Sequence, residues 1–131
     1  MTIAVEDRLA IEELIKLHGH IVDQGAWDRL HEVFDPAAVL DLSAFGGGQL
    51  QGLDAIRDAA LKLGDKNPVA HHVTNIVLRA EPGGVTAVSK GFGVRTDGTV
   101  GSVVYEDRIH SSSAGWRILH RRIAPREVPL Q

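Results

Sequence analysis

The amino-acid sequence predicts an α+β fold, with three helices from the first half of the chain laid against a curled antiparallel sheet from the second half. Three observations predict it. Apolar residues recur at spacings of three and four as far as Leu63 and lose that period afterwards. From Val69 onward the chain runs in stretches rich in β-branched residues. Between those stretches stand Glu81-Pro82-Gly83-Gly84, Thr96-Asp97-Gly98 and Ser111 to Gly115, which are turn chemistry at hairpin spacing. Helices followed by a meander of strands is an α+β order.

The first helix is predicted from Asp7 to Val22, where Leu9, Ile11, Leu14, Ile15, Leu17, Ile21 and Val22 carry the period. Acidic Glu6, Asp7, Glu12 and Glu13 near its start complement the helix dipole. Gly25 interrupts it. Ala26 to Phe34 then repeats the spacing with Trp27, Leu30, Val33 and Phe34, and Asp35-Pro36 stops that second helix. Ala37 to Leu42 is short and apolar, as a strand would be, and Gly46-Gly47-Gly48 is a loop. Gly52-Leu53-Asp54 opens a third helix that runs to Leu63. The predicted strands of the second half are Val69 to Arg79, Val85 to Arg95, Thr99 to His110 and Trp116 to Ala124, and Pro125 to Gln131 reads as a loosely held end. A curled sheet covered on one face by three helices leaves a hollow between the layers, the kind of place where small ligands bind.

Bulk composition narrows the function. The chain has 131 residues, 44% of them hydrophobic, which fits one ordinary domain with its own core. Its net charge is −3 and its 14 Lys and Arg are scattered, so capture of nucleic acid is not expected. Absence of cysteine excludes disulfides, thiolate metal sites and a Cys nucleophile. No apolar run approaches the ~20 residues that cross a bilayer, and no leader pattern opens the sequence. A cytoplasmic protein without membrane partners is the expectation.

Several strings occur together in a telling order: Ile11-Glu12-Glu13-Leu14, then Val22 to Leu30 (VDQGAWDRL), Phe34-Asp35-Pro36-Ala37-Ala38-Val39 and Gly52-Leu53-Asp54-Ala55-Ile56. His71-His72-Val73-Thr74-Asn75, Gly101 through Asp107, and Gly115-Trp116-Arg117-Ile118 with Arg121 follow. In this order they resemble the SnoaL-like branch of the nuclear-transport-factor-2-like superfamily, from about Val5 to Ala124. The resemblance implies a single domain over 1–131, a mixed, cone-shaped, cystatin-like α+β barrel with one internal pocket, and a homodimer or homotrimer in which another copy covers the open sheet face. It does not fix an activity, because the superfamily holds dehydratases, dehydrochlorinases, cyclases, isomerases, epoxide hydrolases and non-catalytic domains.

The resemblance also places a site. In the scytalone dehydratase and dehydrochlorinase relatives, an Asp at the first helix junction pairs with the His that opens an H-x-x-x-N strand. These positions fall on Asp23 and His71, with Asn75 as the fourth residue after the His. Such a carboxylate fixes the tautomer of the ring and leaves its other nitrogen to take a proton from carbon. Alternatively Asp23 caps the helix start at Gly25-Ala26 and His71 is an ordinary strand residue. Adjacent strand residues face opposite ways, so either His71 or His72 looks into the pocket, and alternation alone does not choose. Arg121 matches an Arg that relatives send inward from the last strand, where its guanidinium fork would hold a leaving anion or an enolate oxygen; the other reading of Arg121-Arg122 is an exposed edge.

Tyr105 shares a strand face with Val103 and Asp107, either as a donor to substrate or as a core-edge residue with a wetted hydroxyl. His18 stands where relatives frequently carry Tyr and is expected at the pocket, whereas His20, some 200° away around the helix, faces solvent. Leu42 and Trp27 complete the expected lining, although Trp27, like Trp116, also fits plain core packing. No H-x-x-x-H or H-x-x-E-H string is present, and neither a metal nor an organic cofactor is expected. The chain departs from its best-known relatives in having one Tyr only, with Val22 and Leu42 near two of the tyrosine places. Asp41 is one residue out of register for the ketosteroid isomerase base.

The expected function is a cofactor-independent lyase of dehydratase or dehydrohalogenase type, or an isomerase or cyclase. Its substrate would be a small, mostly apolar carbon acid, with His71 as general base oriented by Asp23. The alternative is a non-catalytic binding domain or an accessory subunit of the same fold, which would show no exchange of carbon-bound protons.

Overall fold

The computed structural model describes residues 2–130; residues 1 and 131, the ends of the expected domain, lie outside the described residues. Helix α1 spans Val5–Gln24. Glu6 and Asp7 lie in its first turn, and it buries a stripe made of Ile11, Leu14, Ile15, Gly19 and Ile21. It stops at Gly25, whose left-handed conformation (φ 64°) lets its N–H reach back to the Ile21 and Val22 carbonyls.

The second expected helix is a 3₁₀ helix, Trp27–Glu32. With only eight residues between Gly25 and the strand that starts at Phe34, an α-helix has little length over which to recover its nucleation cost. The tighter winding puts residues three apart in line, and Arg29 and Glu32 pair at 2.6 Å. Leu30, Val33 and Phe34 are fully buried all the same.

Strand β1 is Phe34–Asp41, β2 Gln49–Gln51, β3 Ala70–Glu81, β4 Gly84–Val94, β5 Val100–Ser112 and β6 Gly115–Arg126, and helix α2 is Leu53–Leu63. The six strands form one mixed sheet in the order β2-β1-β6-β5-β4-β3, with β1 and β6 parallel and every other pair antiparallel. The sheet is not closed. Strand β2 is unanticipated, since three residues after a Gly run are too few to show a period. Pro125 and Arg126 pair with Val103 and Ser102, so the last strand runs two residues beyond its predicted end. Pairing with β1 stops at Arg122, so nothing on that side asks Pro125 for the N–H it lacks. Asp35 and Pro36 fall inside β1, where the register against β6 jumps between Phe34 and Val39 and frees Pro36 from the ladder.

The core lies between α1, the 3₁₀ helix and the inner sheet face, with Ile11, Ile15, Phe34 and Ile118 at 0% exposure. Each such side chain contributes about 1.5–3 kcal/mol by leaving water. Trp116 Nε1 donates to Asp7 at 3.0 Å and ties the start of α1 to β6. No helix among the described residues is long and apolar enough to cross a membrane.

Two irregularities set which side chains face inward. On β3 the register against β4 shifts between Thr74 and Val77, and Asn75 sits there at φ 56°. On β6 Arg108 pairs with His120 and Ile109 with Ile118, which leaves Leu119 as an extra residue. The half-buried row of β3 is therefore His71 and Val73 before the bulge, then Ile76 and Leu78 after it. Because a left-handed φ costs a β-branched residue about 1–2 kcal/mol, Asn75→Val is expected to lower stability by that amount. Asn75→Gly is expected to stay near the parent, with urea unfolding of the two variants as the measurement.

Candidate functional site

A pocket of about 1380 Å³ opens between the helices and the inner sheet face. Its wide part is apolar, with Leu30, Leu40, Ile56, Val73, Val103 and Ile123 among its walls. Its lining also carries polar side chains, among them His18, His71, Tyr105 and Arg121, with Lys62, Arg95, Ser102 and Arg126 also on the lining. The first four come from different elements, α1, β3, β5 and β6 respectively.

Asp23 and His71 meet through two hydrogen bonds. The backbone N–H of His71 donates to Asp23 Oδ2 at 2.9 Å, and His71 Nδ1 lies 2.6 Å from Oδ1. A carboxylate only accepts, so Nδ1 carries the proton, and in the neutral ring Nε2 is the bare nitrogen. The two side chains are about a fifth exposed, at 22% and 21%. Asp23 does not cap the following helix, whose N-terminus has no side-chain cap. Its place in the last turn of α1 brings it to the start of β3 because Gly19, one turn earlier, lets the two elements touch. A Cβ on Gly19 would stand 3.0 Å from that of His71. His72 points away, exposed and stacked on Phe92 at 4.7 Å.

On the other side of the pocket Arg121 is 1% exposed and Asp107 3%. Arg121 Nε and Nη2 donate to the two Asp107 oxygens at 2.7 and 2.9 Å, a bidentate pair. Nη1 lies 2.8 Å from His18 Nδ1, and the guanidinium carbon sits 4.6 Å from the Tyr105 ring centroid. The expected picture of a guanidinium fork free to hold an anion is thus corrected, because Asp107 occupies the fork. Asp107 was legible only as a residue sharing Tyr105's strand face, and its pairing across to β6 required the register.

Burial holds the His18 pKa well below its ordinary 6.5, and the nearby positive charge of Arg121 and the His71 ring act in the same direction. Burial raises the Tyr105 phenol, Arg121 opposes that, and Asp107 and Asp23 add to it.

Leu42 and Trp27 line the pocket, but Asn75 does not. The bulge that Asn75 occupies turns it to the exposed side, where Thr74 Oγ1 donates to its side-chain oxygen at 2.9 Å. Asp41 is engaged by the backbone and hydroxyl of Ser43 and lies outside the lining. Among the described residues no three His, Asp or Glu side chains gather closely enough to hold a metal ion.

An open sheet wrapped against helices, with an acid–histidine pair in the hollow, defines the class of protein. A SnoaL-like domain model matches residues 4–122, and the chain belongs to that family. It is 29% identical over 125 residues to an uncharacterized protein of Mycobacterium tuberculosis, Rv2910c, covering 89% of this chain and 84% of that one. Among solved structures it is similar to a candidate aromatic ring hydroxylase from Novosphingobium aromaticivorans. That match is 29% identical with a TM-score of 0.77, over 99% and 95% of the two chains. It also shares its fold with a hexachlorocyclohexane dehydrochlorinase, LinA-type3, from Novosphingobium barchaimii, at 18% identity and a TM-score of 0.78 over 96% and 91%.

Two expectations follow from the buried network. Asp107→Asn strands a buried guanidinium charge and should cost about 3–5 kcal/mol. Glu106→Gln breaks an ion pair whose partners are 56% and 41% exposed and should cost at most about 1 kcal/mol. Urea unfolding of the two variants compares them directly. The second expectation concerns pH. The unfolded chain protonates His18 near 6.5 whereas the folded chain resists until lower pH, so this contribution is complete above pH 6.5 and is lost as the pH falls below it. Stability of the parent relative to His18→Gln should therefore decline from pH 7 to 5.5, by no more than about 1.4 kcal/mol per pH unit. A difference that stays level across that range would show that His18 takes its proton normally in the folded protein.

Proposed function

We propose that the protein is an enzyme that removes a proton from carbon in a small, mostly apolar substrate, with His71 as general base and Asp23 as the residue that orients it. The observation that carries this reading is the 2.6 Å contact between Asp23 Oδ1 and His71 Nδ1, at the wall of an apolar pocket. Held this way, the ring offers Nε2 to the substrate, and the carboxylate stabilises the imidazolium that forms. Expulsion of hydroxide or halide from the adjacent carbon would make the reaction an elimination. Return of the proton to another carbon would make it an isomerisation, and attack of the carbanion on a carbonyl a cyclisation. The base needs no metal or organic cofactor for this step. A hexachlorocyclohexane dehydrochlorinase of the same fold and a candidate aromatic ring hydroxylase at 29% identity are consistent with a pocket for compact ring compounds.

The test is a panel of ring ketones in deuterium oxide, together with hexachlorocyclohexane, scored by NMR for deuterium uptake and by halide release. His71→Ala and Asp23→Asn should retain the circular dichroism of the parent and lose about 10²–10⁴-fold in rate on whichever compound the parent turns over. Equal rates in the parent and both variants would overturn His71 as the base, and no proton exchange with any bound compound would point instead to a binding domain without chemistry.

A further inference from the structure

His18 is a polar residue of the pocket that the proton-abstraction step leaves unused. Its tautomer is fixed by its neighbour. Arg121 has donors only, so the 2.8 Å contact makes His18 Nδ1 the acceptor and puts the ring proton on Nε2. Asp107 holds the guanidinium in place through both its oxygens, so Arg121 cannot turn away to release Nδ1. The edge of Phe34, with ring centroids 4.8 Å apart, fixes the plane of the imidazole.

Among the described residues Nε2 has no hydrogen-bond partner. Among the described residues Ser89 Oγ is the buried side-chain atom left without a hydrogen bond. Nε2 of His18 and the Tyr105 hydroxyl are therefore unpartnered but reached by solvent, and both residues line the pocket. On the same wall Gly19, next in sequence to His18, packs against the His71 Cβ. The pocket thus presents one bare ring nitrogen, on His71, and one ring N–H, on His18, held near each other by adjacent positions on α1 and β3.

We propose that His18 is a catalytic residue, donating a hydrogen bond from Nε2–H to the substrate's oxygen, and that the substrate class is an enolisable carbonyl compound. This rests on His71 being the base. In the step, His71 Nε2 takes the proton from the carbon next to the carbonyl, and the C–H electron pair becomes the new C=C bond. The carbonyl π pair moves onto oxygen, where the growing negative charge is met by the His18 N–H. No proton leaves His18, so its tautomer and the Arg121 contact persist through the step. A neutral donor suits this role, since it stabilises the enolate without adding a second positive charge beside Arg121 and the newly charged His71. Arg121 and Asp107 act as positioning residues, and Tyr105 stands by as a second donor. A halocarbon, which accepts hydrogen bonds poorly, makes no use of such a group.

The probe is 2-naphthol, a stable aromatic enol, compared with naphthalene, which has the same rings and no oxygen. A hydrogen bond between neutral groups, as to the naphthol oxygen, corresponds to about twofold to tenfold in affinity. The parent protein and His71→Ala should both prefer 2-naphthol by about that factor in fluorescence titrations, since His71 does not hold the oxygen. His18→Phe should lose the preference, and His18→Gln, whose amide can accept from Arg121 and still donate, should keep part of it. Nitrogen-15 NMR of the parent at pH 7 should show His18 neutral with its proton on Nε2. A naphthol preference that survives His18→Phe, its absence in the parent, or a proton on His18 Nδ1 would overturn the assignment. Failure of the His71 reading shows separately: His71→Ala would then leave deuterium exchange unchanged while the naphthol preference still follows residue 18.

Discussion

The buried guanidinium of Arg121 is the constraint around which the inner wall is organised. A charge at 1% exposure is tolerable only when it is compensated, and three side chains from two elements do so: Asp107 and the Tyr105 ring on β5, and His18 on α1. Each of those partners is positioned in turn. The register of β5 against β6 sets Asp107 directly opposite Arg121. Gly91 on β4 leaves the space into which the Tyr105 ring leans, because a side chain there would collide with it. Removing Arg121's inward orientation would leave Asp107 and His18 without their partner, so packing and site geometry rest on one side chain.

That orientation comes from a single extra residue. Had β6 alternated without interruption after Ile118, its inner row would have continued through His120 and Arg122, and Arg121 would have faced outward. Leu119 inserts one residue, and Arg121 turns in. The bulge at Asn75 on β3 does the same service in reverse. His71 and Val73 face inward before it, Ile76 and Leu78 after it, and Asn75 itself is turned out. Bulges also bend strands, so the devices that choose the inward residues contribute to the curl that makes the hollow.

This explains how far the sequence could be read. Periods of three to four and of two are local, so α1, α2 and the four long strands were legible within a few residues, as was the break at Gly25. A bulge has no period of its own. Strict alternation carries the apolar row of Ile76 and Leu78 back to His72 and Ala70, whereas the actual inner row joins halves of the two alternating rows. Asp23 and His71 could be located as a pair by resemblance to a family, and His18 and Arg121 as single positions, but the partners of Arg121 could not. The Arg121–Asp107 and Arg121–His18 contacts join residues 14 and 103 positions apart, and Asn75, expected as a pocket residue from the same string as His71, is turned out by the backbone at the bulge.

The charges around the pocket then fit a proton's arrival. Counting the carboxylates of Asp23 and Asp107 against Arg121, the wall begins with one negative charge in excess, and that charge belongs to the pair at Asp23. In the proposed step the proton taken by His71 neutralises that excess where the new positive charge forms, with the carboxylate 2.6 Å from the ring. Two imidazolium rings beside one guanidinium would instead reverse the balance and repel one another. Burial and the charge of Arg121 together hold the His18 pKa well below its ordinary value, which opposes a second imidazolium on this wall. The proposed division between a base that becomes charged and a donor that does not rests on which partner each ring faces: His71 meets a carboxylate, His18 a guanidinium.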